Sequence, residues 1–388
     1  MSSSDSTVPD LPDDGLAERP DRRPRARRWV LRLAVVLAVV LVLVVVSSLI
    51  SLPYYALMPG DAIPVTGMIQ VPNAHLPRLH GKVLLTDVDV APVRLISYLP
   101  YLLMSNVALV PKSNLLGTAP SSQFIPEGEV DMAEAQLTAK VAALRQMGYS
   151  VPEHDAGALV YEVVPHTPAS HHLAVGDVIT SLGSTRVTSA EGLARAIEAL
   201  RPGEAVELGF TSILSPSLHG HETLRLTSDP SRPGRAFLGV AIYTQPAYSL
   251  PVALDLSNDG IGGPSAGLAF TLGILDKLSG GDLTGGHVVA ATGTIHPNGT
   301  VGPVGGVSEK TIAVEQAGAT VFLVPPQEYA KAEAKATPSL HVMPVTSLSE
   351  ALADLKKLGG HLGRAGTGPP PGPGGHSAAP GWQYDPWS

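Results

Sequence analysis

A long apolar run near the start of the chain constrains its fold more than any other feature. Residues 33–52 are almost all Leu, Val, Ala and Ile, and only three serines interrupt them. About 20 apolar residues at a rise of 1.5 Å cross a hydrocarbon core of roughly 30 Å. Five arginines lie within residues 22–28, and nothing comparably basic follows the run. The sequence therefore predicts one transmembrane anchor over residues 29–52, with the N-terminus in the cytoplasm and the rest of the chain outside.

The alternative interpretation of this run is a cleaved signal peptide. The apolar region of a signal peptide normally has about 7–15 residues and ends in a small-residue cleavage site. This run is longer, and Ser51-Leu52-Pro53 does not resemble such a site. No later stretch meets the same criterion, because Ser97, Pro100 and Asn106 interrupt the next apolar segment. The pattern favours an anchor that stays attached.

The composition narrows the classes of protein that the other residues can form. With 388 residues the chain is long enough for two or three domains. The net charge of −8 disfavours a nucleic-acid partner, which usually requires a basic face. The absence of cysteine excludes disulfides, cysteine nucleophiles and thiolate metal sites. We therefore expect a multidomain protein that does not bind nucleic acid. The strands and helices predicted along the chain, and not its composition, indicate the α/β (α+β) class.

Shifts in composition divide the chain into segments. Residues 1–28 are polar and residues 361–388 are rich in Pro and Gly, so both are predicted to be disordered tails. Residues 53–147 form a predicted N-terminal ectodomain segment that carries no recognisable chemistry. Its predicted elements are a strand at 82–90 and helices at 93–104 and 134–147.

Residues 148–230 have a distinct order of predicted elements. Strands are predicted at 158–164, 176–182 and 205–210, with a helix at 190–200. This order, with the run "PHTPAS…LAVGDVITSLG…EGLARAI…RPGEAVEL", resembles a bacterial PDZ domain. The resemblance implies a groove between a strand edge and the 190–200 helix that binds peptide ends by strand addition. The backbone N–H groups of Gly148 and Tyr149 are predicted to meet the peptide carboxylate; the alternative is a PDZ fold that serves only as a spacer or lid.

A glycine-rich turn before an apolar helix carries the first sign of chemistry. Gly262-Gly263-Pro264-Ser265-Ala266-Gly267 precedes this predicted helix. Proline suits a first helical position because its missing N–H needs no partner there. Ser265 would then lie in the first turn, where the positive end of the helix can stabilise an oxyanion. Gly263, Pro264 and Ala266 form the predicted oxyanion loop, and the serine hydroxyl still needs a base to act as a nucleophile.

A lysine further along the chain supplies the predicted base. A glycine-rich loop at 302–307 leads into a helix for which Ser308 is the expected N-cap. Lys310 would lie near the positive end of this helix, where a cation is disfavoured. Burial beside Ser265 would disfavour the ammonium form further and leave more neutral amine. An isolated lysine in a first helical turn is more often simply solvated. Lys310 therefore indicates a catalytic base only in combination with Ser265.

Together these two segments resemble the proteolytic domain of Lon proteases. They are most similar to the shorter, PDZ-containing and membrane-anchored Lon-like proteins of Gram-positive bacteria. The matching runs are "GGPSAGLAFTLGI" and "ATGTI…VGPVGGVSEKTIAVEQAGATVFLVP", and Lys310 follows Ser265 by 45 positions. The resemblance implies that residues 231–360 form a compact α/β domain that hydrolyses peptide bonds through an acyl-enzyme. It implies Ser265 as nucleophile, Lys310 as general base and Thr292 as the residue that orients the amine, with no metal or cofactor.

Two departures from Lon bear on how the resting site is gated, which the sequence leaves open, and on the substrates. Lon proteins often carry an acidic residue shortly before Gly-Pro-Ser, whereas Gly262 and Gly263 stand there in this chain. No Gly-x-x-x-x-Gly-Lys-Ser/Thr loop is present, so we expect proteolysis without ATP. The expected substrates are unfolded proteins or flexible segments of membrane proteins. The resemblance also implies a homo-oligomeric ring, which sequence patterning does not establish.

Other catalytic and metal sites fit the sequence less well. A Ser-His-Asp triad would have to draw on His287, His296, Asp276 and Asp282, whose order and context match no triad scaffold. Adjacent histidines at 171 and 172 point in different directions and cannot share a metal. The histidines at 219 and 221 have no acidic cluster nearby.

The alternative from a different functional class is a non-catalytic PDZ scaffold whose Lon-like domain survives only as a fold. A fold alone does not prove an activity. A degraded enzyme would be expected to lose one of Ser265, Lys310 and Thr292, and all three are present. The sequence therefore favours a peptidase.

Overall fold

The computed structural model describes residues 23–71, 81–117, 120–280 and 282–363, which form two compact units. The first unit contains the chain up to Leu52 together with Arg94–Pro100. The second contains Pro53–Val93 and the chain from Tyr101 onward.

The tails predicted at 1–28 and 361–388 lie mostly outside the described residues. The first helix nevertheless begins at Arg23, inside the predicted N-terminal tail, because arginine and the apolar residues that follow it are compatible with a helix. At the other end, His361 pairs with Asp282 through an isolated bridge. Each predicted tail is therefore a few residues too long.

The helices of the described residues range from one long apolar helix to single turns. In chain order they are α1 (Arg23–Leu49), α2 (Leu95–Leu103), α3 (Lys112–Leu116), α4 (Phe124–Gln146), α5 (Ala190–Glu198), α6 (Gly267–Ser279), α7 (Val307–Gln316), α8 (Tyr329–Glu333) and α9 (Leu348–Lys357). Helices α2, α4, α5, α6 and α7 lie where the sequence predicts helices. Helix α4 begins earlier than predicted, because Pro126 falls in its first turn, where proline is tolerated.

The strands of the described residues include long ladders and short pairs. In chain order they are β1 (Ser51–Pro64), β2 (Ile69–Gln70), β3 (Lys82–Arg94), β4 (Ala108–Pro111), β5 (Glu153–Val163), β6 (Asp177–Leu182), β7 (Thr185–Arg186), β8 (Ala205–Ser212), β9 (His219–Arg225), β10 (Thr227–Ser228), β11 (Ala236–Phe237), β12 (Val240–Tyr248), β13 (Asp255–Leu256), β14 (Val288–Ala291), β15 (Thr294–Ile295), β16 (Val301–Gly302), β17 (Val321–Val324) and β18 (His341–Pro344).

In the first unit, α1 is a helix with an apolar surface. Its part from Trp29 to Leu49 is 21 residues long, and its large apolar side chains are exposed. This length and composition are sufficient to cross a membrane, although a signal sequence would pass the same test.

In the second unit, a mixed sheet supports the elements that carry the predicted catalytic residues. Its order within the described residues is β18–β17–β14–β3–β1–β4. Strand β14 pairs in parallel with both β3 and β17, while β1 pairs antiparallel with β4. Parallel strands are covered on both faces, which explains the buried apolar runs 83–85 and 321–324. The predicted segments 53–147 and 231–360 therefore share one sheet, and the boundary between them does not separate two cores.

Helix α6 packs on this sheet at the centre of the core. Phe270 and Leu272 are wholly buried and cluster with Val289 and Leu323 of the sheet. Most of the helix is buried because α4 covers it from another direction. Burial of each large apolar side chain contributes about 2–3 kcal/mol, so this packing holds the start of α6 firmly in place.

A second sheet forms the core of the PDZ-like region. Its order within the described residues is β12–β5–β6–β8–β9, with β7 pairing only with β6. Helix α5 begins after Ser189, whose side chain accepts the Gly192 N–H as an N-cap. Strand β12 pairs antiparallel with β5 along its whole length, from Val240 to Tyr248. The PDZ-like sheet therefore extends past residue 230, where the sequence predicts its end.

Candidate active site

Ser265 lies in a tight turn that leads directly into α6. The turn is a 3-10 helix over Pro264–Ala266, so the first turn is tighter than the α-helical turn expected from the sequence. Gly263 precedes it with a φ of +90°, which L-amino acids other than glycine rarely adopt. The Gly263 N–H donates to the carbonyl oxygen of Gly128 in α4 at 2.7 Å. These contacts fix the path of the chain into the partly exposed Ser265.

Lys310 lies in the first turns of α7. The N-cap of this helix is Gly306, at a φ of +66°, and not Ser308, so the cap predicted from the sequence is wrong. The left-handed backbone at Gly306 ends the loop one residue before the helix begins, which places Ser308 inside the first turn. The Lys310 N–H donates to the Gly306 carbonyl oxygen at 3.0 Å. Lys310 is therefore near the positive end of α7, as predicted.

The structure brings Ser265, Lys310 and Thr292 together. Lys310 Nζ lies 2.7 Å from Ser265 Oγ and 3.1 Å from Thr292 Oγ1. The Thr292 hydroxyl also donates to the Ser265 carbonyl oxygen at 3.4 Å. Thr292 can thus accept an N–H of Lys310 while donating its own proton elsewhere. This arrangement holds the lysine side chain against the serine hydroxyl.

Burial changes the acid–base chemistry of Lys310. The side chain is only 2% exposed. Loss of solvent disfavours the ammonium form and lowers the pKa of Lys310 to about 8, although the carboxylates of Asp87 and Glu328 act in the opposite direction. A lysine with this pKa has a substantial neutral fraction near physiological pH and can accept a proton.

Sequence reasoning missed the two acidic residues that influence Lys310. Asp87 is half-buried in β3, and one of its carboxylate oxygens accepts the Asp61 N–H at 2.6 Å. Burial is the main cause that raises the pKa of Asp87. Glu328 is buried just before α8. The signal for Asp87 is an acid just past the part of β3 that pairs in parallel with β14, because ligand sites in α/β folds commonly lie at the carboxyl ends of parallel pairs.

The predicted oxyanion loop is present, but its members differ in what they can donate. Pro264 has no N–H, and the Gly263 N–H already donates to Gly128. Neither residue supplies a donor in this conformation. Ala266, buried between the turn and α6, is the remaining candidate of the three.

Ser265 and Lys310 open into an acidic cleft of about 520 Å³. Its lining includes five carboxylates, and Lys310 is the only cationic residue among the described residues that line it. The carboxylates are Asp87, Asp89, Glu127, Glu129 and Asp131. Burial and repulsion from neighbouring acids raise the pKa of Glu127. The cleft therefore presents a negative surface beside the serine.

The residues predicted to meet a peptide carboxylate have other hydrogen-bond partners. The Gly148 N–H donates to the Arg145 carbonyl oxygen, and the Tyr149 N–H donates to that of Leu144, both at 3.0 Å. Gly148 has a φ of +86°, so the pair ends α4 in a glycine C-cap. These N–H groups are occupied and do not serve a peptide carboxylate, so this prediction is corrected.

The edge of the PDZ-like sheet lies elsewhere. Strand β12 is one of its two outermost strands, and α5 lies alongside it, with the Ala190 N–H donating to Thr244 Oγ1 at 3.1 Å. Leu238 and Gly239 immediately precede this strand. Among the strands of the described residues, β12 pairs only with β5, so its other edge, beside α5, is the kind of edge at which strand addition occurs.

Helix α4 connects this PDZ-like sheet to the turn that carries Ser265. Gln123, just before α4, exchanges two hydrogen bonds with the backbone of Val163, at 2.6 and 3.0 Å. Gln245 of β12 donates to Glu134 of α4 at 2.7 Å. The same helix accepts the Gly263 N–H through Gly128. Helix α4 therefore contacts both the PDZ-like sheet and the turn that holds Ser265.

The residues that a Ser-His-Asp triad or a histidine metal site would use have other hydrogen-bond partners. Asp276 accepts the Leu283 N–H at 3.0 Å, and His287 Nδ1 lies 3.4 Å from Thr320 Oγ1. His172 lies 2.8 Å from Glu222. Among the described residues, no group of three or more His, Cys, Asp or Glu is arranged to hold a metal ion.

Comparison with known proteins matches two segments of the chain. Residues 259–356 match the family described as the Lon protease (S16) C-terminal proteolytic domain, and residues 146–211 match the PDZ domain family. The chain is 34% identical over 92 residues to Lon protease of Chloroflexus aggregans, covering 23% of this chain and 11% of that protein. It is 35% identical over 99 residues to Lon protease 1 of Sorangium cellulosum, covering 25% of this chain and 12% of that protein. The chain thus spans about an eighth or less of the length of these relatives.

Solved structures match the PDZ region. The PDZ domain of an SdrC-like protein from Listeria monocytogenes shares 22% identity, with a TM-score of 0.20, over 22% of this chain and 87% of that chain. The family matches are more informative than this likeness. They establish a mixed α/β chain with a PDZ domain followed by a Lon-type proteolytic domain, preceded by an apolar helix.

Proposed function

We propose that this chain, which carries a PDZ domain and a Lon-type proteolytic domain, is a membrane-anchored serine endopeptidase that works without ATP. Its substrates are unfolded proteins or flexible segments of membrane proteins. The observation that carries the proposal is the 2.7 Å distance between Lys310 Nζ and Ser265 Oγ. That distance is within the range over which a general base takes the proton of a nucleophile. The lowered pKa of Lys310, about 8, makes the neutral amine available for this step.

The reaction follows from the positions of these groups. As Ser265 Oγ attacks the peptide carbonyl carbon, the neutral Lys310 amine accepts the hydroxyl proton. The resulting ammonium donates that proton to the leaving amine as the C–N bond breaks, which leaves an acyl-enzyme. A water molecule then attacks the ester with Lys310 again as base, and Ser265 recovers its proton. Thr292 acts as a positioning residue because it holds Nζ towards the serine.

The substrate class follows from the open cleft and the PDZ region. A cleft of about 520 Å³ admits an extended peptide but not a folded domain. The edge strand β12 offers unpaired backbone groups beside α5, which would capture an exposed peptide terminus. Helix α4 contacts both that sheet and the nucleophile turn. We include PDZ capture and a homo-oligomeric ring in the proposal as parts to be tested.

The proposed location is the outer face of a cell membrane. Helix α1 supplies a single span, and the arginines before it keep the N-terminus in the cytoplasm. The chain after α1 is then extracytoplasmic, where ATP is not available to drive unfolding.

The decisive experiment compares matched variants of the full chain in detergent. Ser265→Ala and Lys310→Ala should each lower the rate of cleavage of an unfolded protein, measured without ATP, by about 10³-fold or more. Ser249→Ala and Lys356→Ala remove a serine and a lysine that are exposed and outside the cleft, so they should retain the parent rate.

The outcomes separate the candidate functions. Equal cleavage by all variants would show that another group performs the reaction. A folded parent that binds peptides but cleaves none would support the alternative, a non-catalytic PDZ scaffold with a Lon-like fold. The mass of the solubilised chain would test the ring directly.

A further inference from the structure

Helix α2 is an apolar helix for which the described protein provides no core. All nine of its residues, Leu95–Leu103, are described, and none of them is buried. Leu99 is 63% exposed and Leu103 is 79% exposed. The stretch from residue 95 to 111 contains no charged side chain. Such a contiguous apolar surface normally marks a contact with another molecule or with a membrane.

The start of α2 is bonded to the end of the proposed anchor. The Leu95 N–H donates to the Ile50 carbonyl oxygen at 3.0 Å. The Arg94 guanidinium donates to the Ser48 carbonyl oxygen at 3.1 Å. Residues 94–100 belong to the same compact unit as α1. Wherever α1 leaves the membrane, the beginning of α2 must therefore be at the same level.

The length and flanks of α2 determine how it can meet a bilayer. Nine residues at 1.5 Å each give a helix of about 14 Å, too short to cross a core of roughly 30 Å. Short apolar helices with tyrosines and basic flanks suit the boundary between headgroups and acyl chains. Tyr98 and Tyr101 supply the partly exposed aromatic rings, and Arg94, directly before the helix, supplies a basic flank.

We propose that α2 lies in the outer interface of the lipid bilayer as a second membrane contact beside α1. The partner is lipid because the start of the helix is hydrogen-bonded to the end of the apolar anchor, whose neighbours in the membrane are acyl chains. The proposal rests on the anchor of the proposed function but is independent of the peptidase chemistry. It assigns a role to an apolar segment that catalysis does not use.

The absence of cysteine allows a direct test with the full chain. Single substitutions Val39→Cys, Leu99→Cys and Leu218→Cys would each carry an environment-sensitive fluorophore in phosphatidylcholine vesicles that contain spin-labelled acyl chains. Leu218 is a matched control because it is 49% exposed and lies in a loop of the PDZ domain. We expect strong quenching at 39, at least half as much at 99, and none at 218. These positions are all exposed, so the substitutions leave the core intact.

The results distinguish the interfacial role proposed for α2 from the membrane anchor proposed for α1. Quenching at 39 but not at 99 would overturn the interfacial role of α2 and leave the anchor standing. No quenching at either position would overturn the anchor, and the role of α2 with it. A blue-shifted but unquenched fluorophore at 99 would show that protein covers the helix, which also overturns the proposal. Leu103→Cys provides a second reading on the same helix and should match 99.

Discussion

The acid–base state of Lys310 determines how the rate should depend on pH. Because the pKa of Lys310 is lowered to about 8, the amine is mostly protonated below that pH and cannot accept the Ser265 proton. We expect kcat/KM for a peptide without ionisable groups to rise about tenfold per pH unit and to level off above pH 8. Initial rates between pH 6 and 10 would check this. An inflection near pH 6.5 would instead indicate a histidine base.

The same buried cation should also reduce the stability of the protein. The folded-state pKa of about 8 lies below the ordinary 10.5, so the protonated form is disfavoured by folding below pH 8. This difference corresponds to about 3 kcal/mol, against about 1–2 kcal/mol for the two hydrogen bonds that Nζ makes. Lys310→Met should therefore raise the unfolding temperature at pH 7 by a few degrees while it abolishes activity.

The pH dependence of that stability difference supplies the control. Between pH 8 and 10.5 the unfolded chain binds more protons than the folded one, so the parent gains stability as the pH rises. The advantage of Lys310→Met should shrink over this range and be lost before pH 10.5, because the neutral amine of the parent still makes its hydrogen bonds there. A difference in unfolding temperature that does not change with pH would contradict the assignment.

Thr292 provides a test of positioning rather than chemistry. Its hydroxyl lies 3.1 Å from Lys310 Nζ and accepts an N–H from the ammonium. Thr292→Val removes this acceptor, so kcat should fall about 10- to 100-fold and the midpoint of the pH profile should move to lower pH. Thr292→Ser keeps the hydroxyl and should restore most of both. A purely structural residue would lower the rate without moving the midpoint.

At the scale of elements, the turn that leads into α6 depends on a backbone conformation that favours glycine. An added methyl group at Gly263 would meet no atom within 4 Å, but the φ of +90° strains any L residue. Gly263→Ala should therefore displace Ser265 and lower kcat at least tenfold, with a loss of stability of about 1–2 kcal/mol. Circular dichroism and a rate assay would measure both.

Gly305→Ala is the matched control for this turn. An added methyl group at Gly305 would also meet no atom within 4 Å, and the φ of Gly305 lies outside the left-handed region. This variant should keep the parent rate. If the two alanine variants behave alike, the strained conformation at Gly263 is not what places the serine.

The sequence predicts the elements whose patterns are local and misses those that depend on distant partners. Helices α6 and α7 were predictable because their glycine turns and apolar runs are contiguous. The cap of α7 was not, because a serine and a left-handed glycine both start helices and only the loop path selects Gly306. The place of β3 beside β14 was also hidden, because parallel pairing joins strands about 200 residues apart. Asp87 was missed for the same reason, since its relation to Lys310 arises from that pairing.

At the scale of the whole molecule, the chain is acidic and part of its negative charge lines the cleft beside Ser265. The chain has a net charge of −8, and the cleft beside Ser265 is lined by five carboxylates. Clefts lined by one sign of charge attract ligands of the opposite sign and raise their rate of association. Peptides with Lys or Arg near the cleaved bond should therefore be better substrates than peptides with Glu at the same positions.

Two peptides that differ only in Lys or Glu beside the same cleaved bond would test this preference. At low salt we expect about a tenfold higher kcat/KM for the lysine peptide, and near-equality at 1 M salt, where charges are screened beyond about 3 Å. Asp89→Asn and Glu129→Gln alter exposed carboxylates of the cleft and should each reduce the preference, whereas Glu333→Gln, exposed outside the cleft, should not. Equal rates at every salt concentration would mean that the carboxylates act on the fold or on Lys310 and not on the substrate.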